Sequence, residues 1–82
     1  MRRRRMDFSD AFAVVLKRHR EASNLSRQTL AQMAGLHQTY VGMIERGLAN
    51  PSLDVCNAIA EALRVPFSRL IADTEKERNA AK

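Results

Sequence analysis

The sequence predicts an all-α domain built from five helices. No stretch alternates apolar and polar residues as a β-strand does, and no Asn-Gly or Asp-Gly pair marks a hairpin. Apolar residues recur instead at helical spacing, and capping residues, glycines and prolines separate one such stretch from the next. With 82 residues, the chain is long enough for one small, compact domain.

The first two helices are delimited by capping and stop residues. Asp7 can cap the first helix, whose pattern ends at Ser23-Asn24, and Ser26 can cap the second, which ends at Gly35. The apolar positions are Phe8, Phe12, Val15, Leu16 and His19 in the first helix and Leu30, Met33 and Ala34 in the second. We interpret Met33 as a residue that fills space in the core.

Three further helices follow. The third begins near His37 and ends at Gly47, Ser52 caps the fourth, and Pro66 stands at the start of a short fifth helix. Their apolar positions are Tyr40, Val41 and Ile44, then Leu53, Cys56, Ile59, Ala60 and Leu63, and finally Phe67, Leu70 and Ile71.

The chain divides into three parts by composition. Residues 1–6 form a basic arm that we expect to be disordered, residues 7–73 form the domain, and residues 74–82 form a polar tail or an extension of the last helix. The arm carries Arg2, Arg3, Arg4 and Arg5. Two alternatives stay open for these arginines: insertion into a DNA minor groove, or a solvated tail that raises nonspecific affinity.

Positive charge is concentrated in the first half of the chain. Fourteen basic and nine acidic residues give a formal charge of +5, and the arginine run supplies four of these five charges. Residues 17–46 carry five more Lys and Arg residues against two Glu residues. Such a surface attracts polyanions such as DNA, although a basic protein that binds nothing is the alternative.

Several function classes are excluded. Cys56 is the single cysteine, so neither a disulfide framework nor a cysteine-based zinc finger is possible, and we expect it in the core. His19 and His37 have no ligand partner at metal spacing, so we expect no metal and no cofactor. No nucleophile–base pair or phosphate loop indicates an enzyme. Because no apolar stretch is long enough for a bilayer, we expect a cytoplasmic protein without a membrane partner.

Residues 27–44 satisfy the demands of two short helices joined by a tight turn. Ala31 is small enough for a close helix crossing, and Gly35 can adopt a left-handed backbone conformation. The apolar positions that would pack the pair onto the domain are Leu30, Leu36, Val41 and Ile44. This register predicts a helix-turn-helix at helices 2 and 3.

Residues 16–71 resemble the phage-repressor type of regulator, also called the Xre family of helix-turn-helix regulators. The stretches that carry the resemblance are LSRQTLA (25–31), AGLHQTY (34–40), IERG (44–47), NPSL (50–53) and ALRV (62–65). The length, the Thr-Tyr pair after the turn and the short last helix also resemble controller proteins of restriction–modification systems. The resemblance implies a repressor-like DNA-binding domain whose third helix enters the major groove.

The resemblance also implies which residues contact DNA. Base-contact candidates are Gln38, Thr39, Tyr40 and Met43. Phosphate-contact candidates are Arg27, Gln28, His37, Arg46, Asn50 and Ser52. In the family, glutamine usually stands where this chain has Arg27. Phosphate contacts position the protein, and base contacts give sequence specificity.

The family pattern implies an ion pair between Arg20 and Glu45. The residues agree with it, because a carboxylate near a helix C-terminus is unfavourable without a nearby cation.

A small domain with one apolar helix face often dimerises through it, so Phe67, Leu70 and Ile71 are candidates for the interface of a homodimer. The implied function is a transcription regulator, for instance a repressor, that binds a roughly palindromic operator. Its expected partners are double-stranded DNA, a second copy of the chain and, as a further candidate, RNA polymerase. The alternative is a protein–protein interaction module or an antitoxin with the same fold.

Overall fold

Five helices in sequence form the domain, as shown by a computed structural model that describes residues 6–80. The helices are α1 (Phe8–Ala22), α2 (Arg27–Ala34), α3 (Gln38–Glu45), α4 (Leu53–Leu63) and α5 (Phe67–Ala80). No strand occurs within residues 6–80, so the predicted all-α class is confirmed. The arginine run of the predicted arm lies outside the described residues.

Serine hydroxyls cap two of the helices as the sequence predicts. The hydroxyl of Ser26 accepts a hydrogen bond from the Thr29 amide at 3.0 Å, and that of Ser52 accepts one from the Val55 amide at 3.1 Å. Each contact satisfies an amide that the first helical turn leaves without a partner. The prediction for Asp7 is wrong in part. It occupies the N-cap position of α1, but its side chain makes no capping hydrogen bond.

Left-handed residues end two helices. Gly35 follows α2 with a φ of 72°, and the next amide, that of Leu36, donates to the carbonyl of Ala31 at 2.8 Å. Arg64 ends α4 with a φ of 59°, a conformation that glycine adopts at lower cost. α3 ends at Glu45, and Arg46 rather than the predicted Gly47 follows it as the C-cap. The conformation of Gly35 and the hydrogen bond of Leu36 account for the turn between α2 and α3.

The core joins all five helices. Its buried members are Phe12, Val15, Leu16, Leu30, Ala31, Val41, Ile44, Cys56, Ile59, Ala60, Ala62, Leu63 and Leu70. Ala31 is 1% exposed, which agrees with the close packing of α2 that its small side chain allows. All four apolar positions of the predicted helix-turn-helix are buried or pack against this core.

Two apolar residues that the periodicity assigned to the core lie in solvent. Met33 is 52% exposed and Leu53 is 73% exposed. Met33 is two residues after Ala31, or about 200° around the helix axis, so it lies far from the buried side of α2. Leu53 is the first residue of α4, beside the cap Ser52, where the helix has not yet reached the core. Neither side chain fills the core.

The last helix extends through most of the predicted tail. α5 continues to Ala80, which is the second of the two alternatives predicted for residues 74–82, an extension of the last helix. Its second half lies against the second half of α1, where Glu77 pairs with Arg18 at 2.7 Å and Asp73 pairs with His19 at 2.9 Å. Thr74 is fully buried between these contacts and donates to the carbonyl of Leu70. Contact with α1 therefore accounts for the extra helical turns.

The Asp73 carboxylate gives the contact between α1 and α5 a dependence on pH. The hydrogen bond that His19 donates lowers the pKa of Asp73 below its ordinary value, against the opposing effect of burial, and the charge of Arg69 lowers it further. A carboxyl whose pKa is lower in the folded chain stabilises the fold above its unfolded pKa. This contribution is lost as the pH falls through the folded pKa.

We expect the substitution Asp73→Asn to lower the melting temperature near neutral pH. The difference from the parent protein should begin to shrink as the pH falls below about 4, the ordinary pKa of an aspartate, and should vanish below the lowered pKa of the folded chain. Thermal unfolding followed by circular dichroism at several pH values measures this. Glu75→Gln, which changes an exposed carboxylate of the same helix, is the control. A difference that stays constant down to about pH 3 would contradict the role given to the ionised Asp73.

Candidate nucleic-acid interface

The third helix has one side that faces the core and one that faces solvent. Val41 and Ile44, three residues apart, are fully buried and fix α3 to the domain. Gln38 and Thr39, the first two residues of α3, are exposed. The start of α3 is thus presented outward from a packed scaffold.

The remaining base-contact candidates are less accessible than the first two. Met43 is partly buried and lies four residues after Thr39, so these two residues share a helix face. Tyr40 is partly buried and packs against the core cluster. The outward face is therefore formed by Gln38, Thr39 and Met43, with Tyr40 turned partly towards the protein.

Gly42 leaves open space on this outward face. It lies four residues after Gln38 and three after Thr39, and a Cβ atom added there would meet nothing within 4 Å. A glycine inside a helix lowers stability by roughly 0.5–1 kcal/mol relative to alanine, so the fold gains nothing from it. Its absent side chain lets a ligand approach the backbone of α3 closely.

All six phosphate-contact candidates are exposed, but three of them already bind within the chain. The hydroxyl of Ser52 caps α4, the side-chain oxygen of Asn50 accepts a hydrogen bond from the Ser9 hydroxyl, and Arg27 forms an ion pair with Glu45. The link from Ser9 ties the loop between α3 and α4 to the first turn of α1. Within residues 6–80, the side chains of Gln28, His37 and Arg46 form no such contact.

Arg20 and Glu45 form a nearly buried ion pair at the base of α3. Arg20 Nε lies 2.6 Å from Glu45 Oε2, one terminal nitrogen lies 3.1 Å from Oε1, and the other donates to the carbonyl of Leu25 at 2.8 Å. The side chains are 10% and 1% exposed. The hydrogen bond with Glu45 raises the pKa of Arg20, although burial opposes the effect. The pair joins the end of α1 to the end of α3.

A family model described as Helix-turn-helix matches residues 16–70. The chain belongs to the Xre-type helix-turn-helix family. The control protein C.SmaI of Serratia marcescens is 35% identical over 66 residues, which cover 80% of this chain and 79% of that protein. The members of the family are DNA-binding transcription regulators, so this chain is a regulator and not an enzyme.

Solved structures show the same fold. The restriction-modification controller protein C.AhdI from Aeromonas hydrophila matches with a TM-score of 0.74 and 39% identity, covering 76% of this chain and 94% of that one. The clp gene regulator ClgR from Corynebacterium glutamicum has a TM-score of 0.89 over 94% of this chain and 82% of its own. At 16% identity, ClgR supports the helix-turn-helix fold alone.

The three apolar residues predicted for a dimer interface differ in their exposure to solvent. Leu70 is fully buried in the core of its own subunit, so it is not available to a partner, and the expectation for Leu70 is corrected. The reason is that α5 turns this residue towards the other helices of the domain. Phe67 and Ile71, four residues apart on α5, are partly exposed. Of the three predicted residues, Phe67 and Ile71 are therefore accessible for an interface through α5.

The cysteine and one of the two histidines are held in contacts that serve the fold. Cys56 is buried, and this burial raises the pKa of its thiol. His19 pairs with Asp73, whereas His37 is exposed at the N-cap of α3. Residues 6–80 contain no cluster of three or more His, Cys, Asp or Glu side chains that could hold a metal ion. Within the same range, no helix has both the length and the apolar character to span a membrane.

We expect Arg20→Ala to lower the free energy of unfolding by about 3 kcal/mol. Removing one partner of a buried ion pair leaves the other charge without compensation and costs roughly 3–5 kcal/mol. The lower end of this range is expected because Arg27 still contacts Glu45 in the variant. Denaturant unfolding measures the change.

The control is Arg18→Ala, which breaks the ion pair of Arg18, a side chain that is 57% exposed, with Glu77. An exposed pair contributes less than about 1 kcal/mol. If Arg20→Ala unfolded like the parent protein while its DNA affinity was lost, a structural role for Arg20 would be wrong.

Proposed function

We propose that this protein binds a roughly palindromic DNA operator as a homodimer and regulates transcription from it. The observation that carries the proposal is the exposed pair Gln38 and Thr39 at the start of α3, held outward by the buried Val41 and Ile44. In helix-turn-helix proteins the first residues of the second helix contact base edges in the major groove. The protein acts by occupying DNA and catalyses no reaction. We place this action in the cytoplasm.

The side chains on the outward face suit base readout. The amide of Gln38 can donate and accept at once and so bind an adenine bidentately, and Thr39 offers a hydroxyl and a methyl group. Met43 is suited to the methyl group of a thymine. The open space at Gly42 lets α3 lie close to the groove floor. Tyr40 contributes its hydroxyl at the edge of this surface.

Phosphate contacts would surround the start of α3. Arg27 and Gln28 begin α2, His37 occupies the N-cap position of α3, and Ser52 caps α4. Helix N-termini carry partial positive charge and free amides, so they favour phosphate oxygens. Arg46 and the neighbourhood of Asn50 add further donors. These contacts would fix the register of the protein on DNA.

Two subunits are needed to read a palindromic operator. Phe67 and Ile71 on α5 are the apolar side chains through which we propose that the two copies meet. Each α3 would then enter one major groove, with half-sites about 34–36 Å apart. Bound protein would block or recruit RNA polymerase, according to where the operator lies relative to the promoter.

The specific regulator that we propose is a controller protein that regulates a restriction–modification operon and its own gene. The support is that C.SmaI is named a control protein and C.AhdI a restriction-modification controller protein, and this chain covers most of both. Selection of bound fragments from the source genome would give the operator and its neighbouring genes. An operator beside toxin or prophage genes would instead indicate an antitoxin or a phage-type repressor.

We expect Gln38→Ala to weaken binding to the selected operator by about 1–3 kcal/mol and to leave binding to random DNA nearly unchanged. The reason is that Gln38 contacts bases and not phosphate in the proposed complex. Titrations at two salt concentrations with both DNAs measure the difference. Gln28→Ala, which removes an exposed amide that we propose contacts phosphate, is the matched control and should weaken binding to both DNAs equally.

Equal losses on both DNAs would show that Gln38 does not read bases. The parent protein should lose affinity steeply with salt, by a slope near one unit for each phosphate contact in a log–log plot. A flat salt dependence would contradict DNA binding itself and favour the interaction module.

We expect Ile71→Asp to convert the dimer into a monomer, because a charge at the interface would have to lose its water. Sedimentation at micromolar concentration measures the mass, and circular dichroism checks the fold. Leu53→Asp is the control, since Leu53 is 73% exposed on α4 and lies outside the proposed interface. A parent protein that sediments as a monomer, also when bound to a two-fold site, would contradict the dimer.

A further inference from the structure

Gly42 stands on the side of α3 that faces solvent. At about 100° per residue, it lies between Gln38 and Thr39 around the helix axis and away from the buried Val41 and Ile44. A side chain in a helix covers the turn before its own Cα atom, so a side chain at position 42 would lie over the first turn of α3. The place that it would occupy is beside the two residues that are proposed to read bases.

The missing side chain leaves a gap in this face, which we call the Gly42 notch and which Gln38 and Thr39 border. A Cβ atom built at Gly42 would meet none of the described residues within 4 Å, apart from its chain neighbours and the backbone of α3 itself. The φ of Gly42 is not positive, unlike those of Gly35 and Gly47, so the backbone conformation does not require glycine. Since neither the backbone nor the packing calls for glycine, the notch is open to a ligand of the outward face.

The floor of the Gly42 notch has no free hydrogen-bonding group within the described helix. The amide of Gly42 lies inside α3, where it donates to the carbonyl four residues earlier, and its carbonyl accepts from the amide of Arg46 at 3.1 Å. A phosphate oxygen or a polar base edge would lose water there without gaining a partner. The group that fits the notch is therefore small and apolar.

Base pairs present one apolar group in the major groove, the methyl group at C5 of thymine. The modified base 5-methylcytosine carries the same methyl group at the same atom. The methyl group of Thr39 and the thioether of Met43, four residues apart on this face, extend apolar surface beside the notch. A C5 methyl group thus matches the chemistry of the notch and its surroundings.

We propose, resting on the function proposed above, that the Gly42 notch holds the C5 methyl group of one pyrimidine in each half of the operator. The methyl carbon would lie in van der Waals contact with the Cα atom of Gly42, beside the base edge that Gln38 binds. Gly42 is then a specificity-determining residue that acts through the absence of a side chain. Alanine would favour the helix but would fill the space of the methyl group.

The first test replaces each thymine of a synthetic operator in turn by deoxyuridine, which removes one C5 methyl group and keeps the hydrogen-bonding edge of the base. At one position of a half-site, we expect this change to weaken binding of the parent protein by about fourfold, the effect of one buried methyl group. Thymine is then the source of the methyl group. If no deoxyuridine weakens binding and 5-methylcytosine at one position strengthens it by about fourfold, methylcytosine is the source.

The second test fills the notch with Gly42→Ala. This variant should melt roughly 2–8 °C higher than the parent protein, because alanine stabilises a helix interior relative to glycine. It should bind the methyl-bearing operator at least about fivefold more weakly and should no longer prefer the methyl-bearing base at the identified position. Asn57→Ala, which also raises helix propensity at an exposed residue of α4, is the control and should keep the affinity and the preference of the parent.

A parent protein that responds to no C5 methyl group, or a Gly42→Ala variant that keeps the full preference for it, would overturn the role of the notch. The same titrations include random DNA and so test the proposed function separately. A parent protein that does not prefer its selected operator to random DNA contradicts that function. A parent protein that has this preference but ignores every C5 methyl group contradicts only the inference about Gly42.

Discussion

The nearly buried carboxylate of Glu45 constrains the arrangement of the first three helices. A charge that leaves water is tolerated inside a protein only when it is paired and hydrogen-bonded. Here the pairing comes from Arg20 at the end of α1 and Arg27 at the start of α2. Because the carboxylate stands at the end of α3, where the helix dipole is also unfavourable, its pairing holds this end of α3 against α1 and α2. Together with the buried Val41 and Ile44, this pairing presents Gln38 and Thr39 outward.

Polar contacts join helices that are distant in sequence. Arg18 with Glu77 and His19 with Asp73 connect α1 to α5, and the Ser9 hydroxyl connects α1 to the loop before α4. α1 is therefore held at both ends, by the loop and by the last helix. This arrangement supports the scaffold beneath α3, which itself has only eight residues.

Features governed by local rules could be predicted from the sequence. The caps at Ser26 and Ser52 and the left-handed turn at Gly35 follow from backbone geometry within a few residues. The prediction that Met33 lies in the core was wrong, because an eight-residue helix has too few turns for apolar spacing to show which side faces the core. The contacts of Arg27 and of α5 join residues far apart in sequence, and spacing along the chain carries no signal for them.

The structure separates the residues that hold α3 from those that would read DNA. Val41, Ile44 and Glu45 bind the scaffold, while Gln38 and Thr39 make no contribution to the core. Changes at the outward positions can therefore alter sequence preference with little effect on folding, since exposed substitutions usually change stability by less than about 0.5 kcal/mol. Arg27 is the exception, because one guanidinium both touches the scaffold and remains open to solvent. A change there removes a contact to the nearly buried Glu45 carboxylate and an exposed charge together.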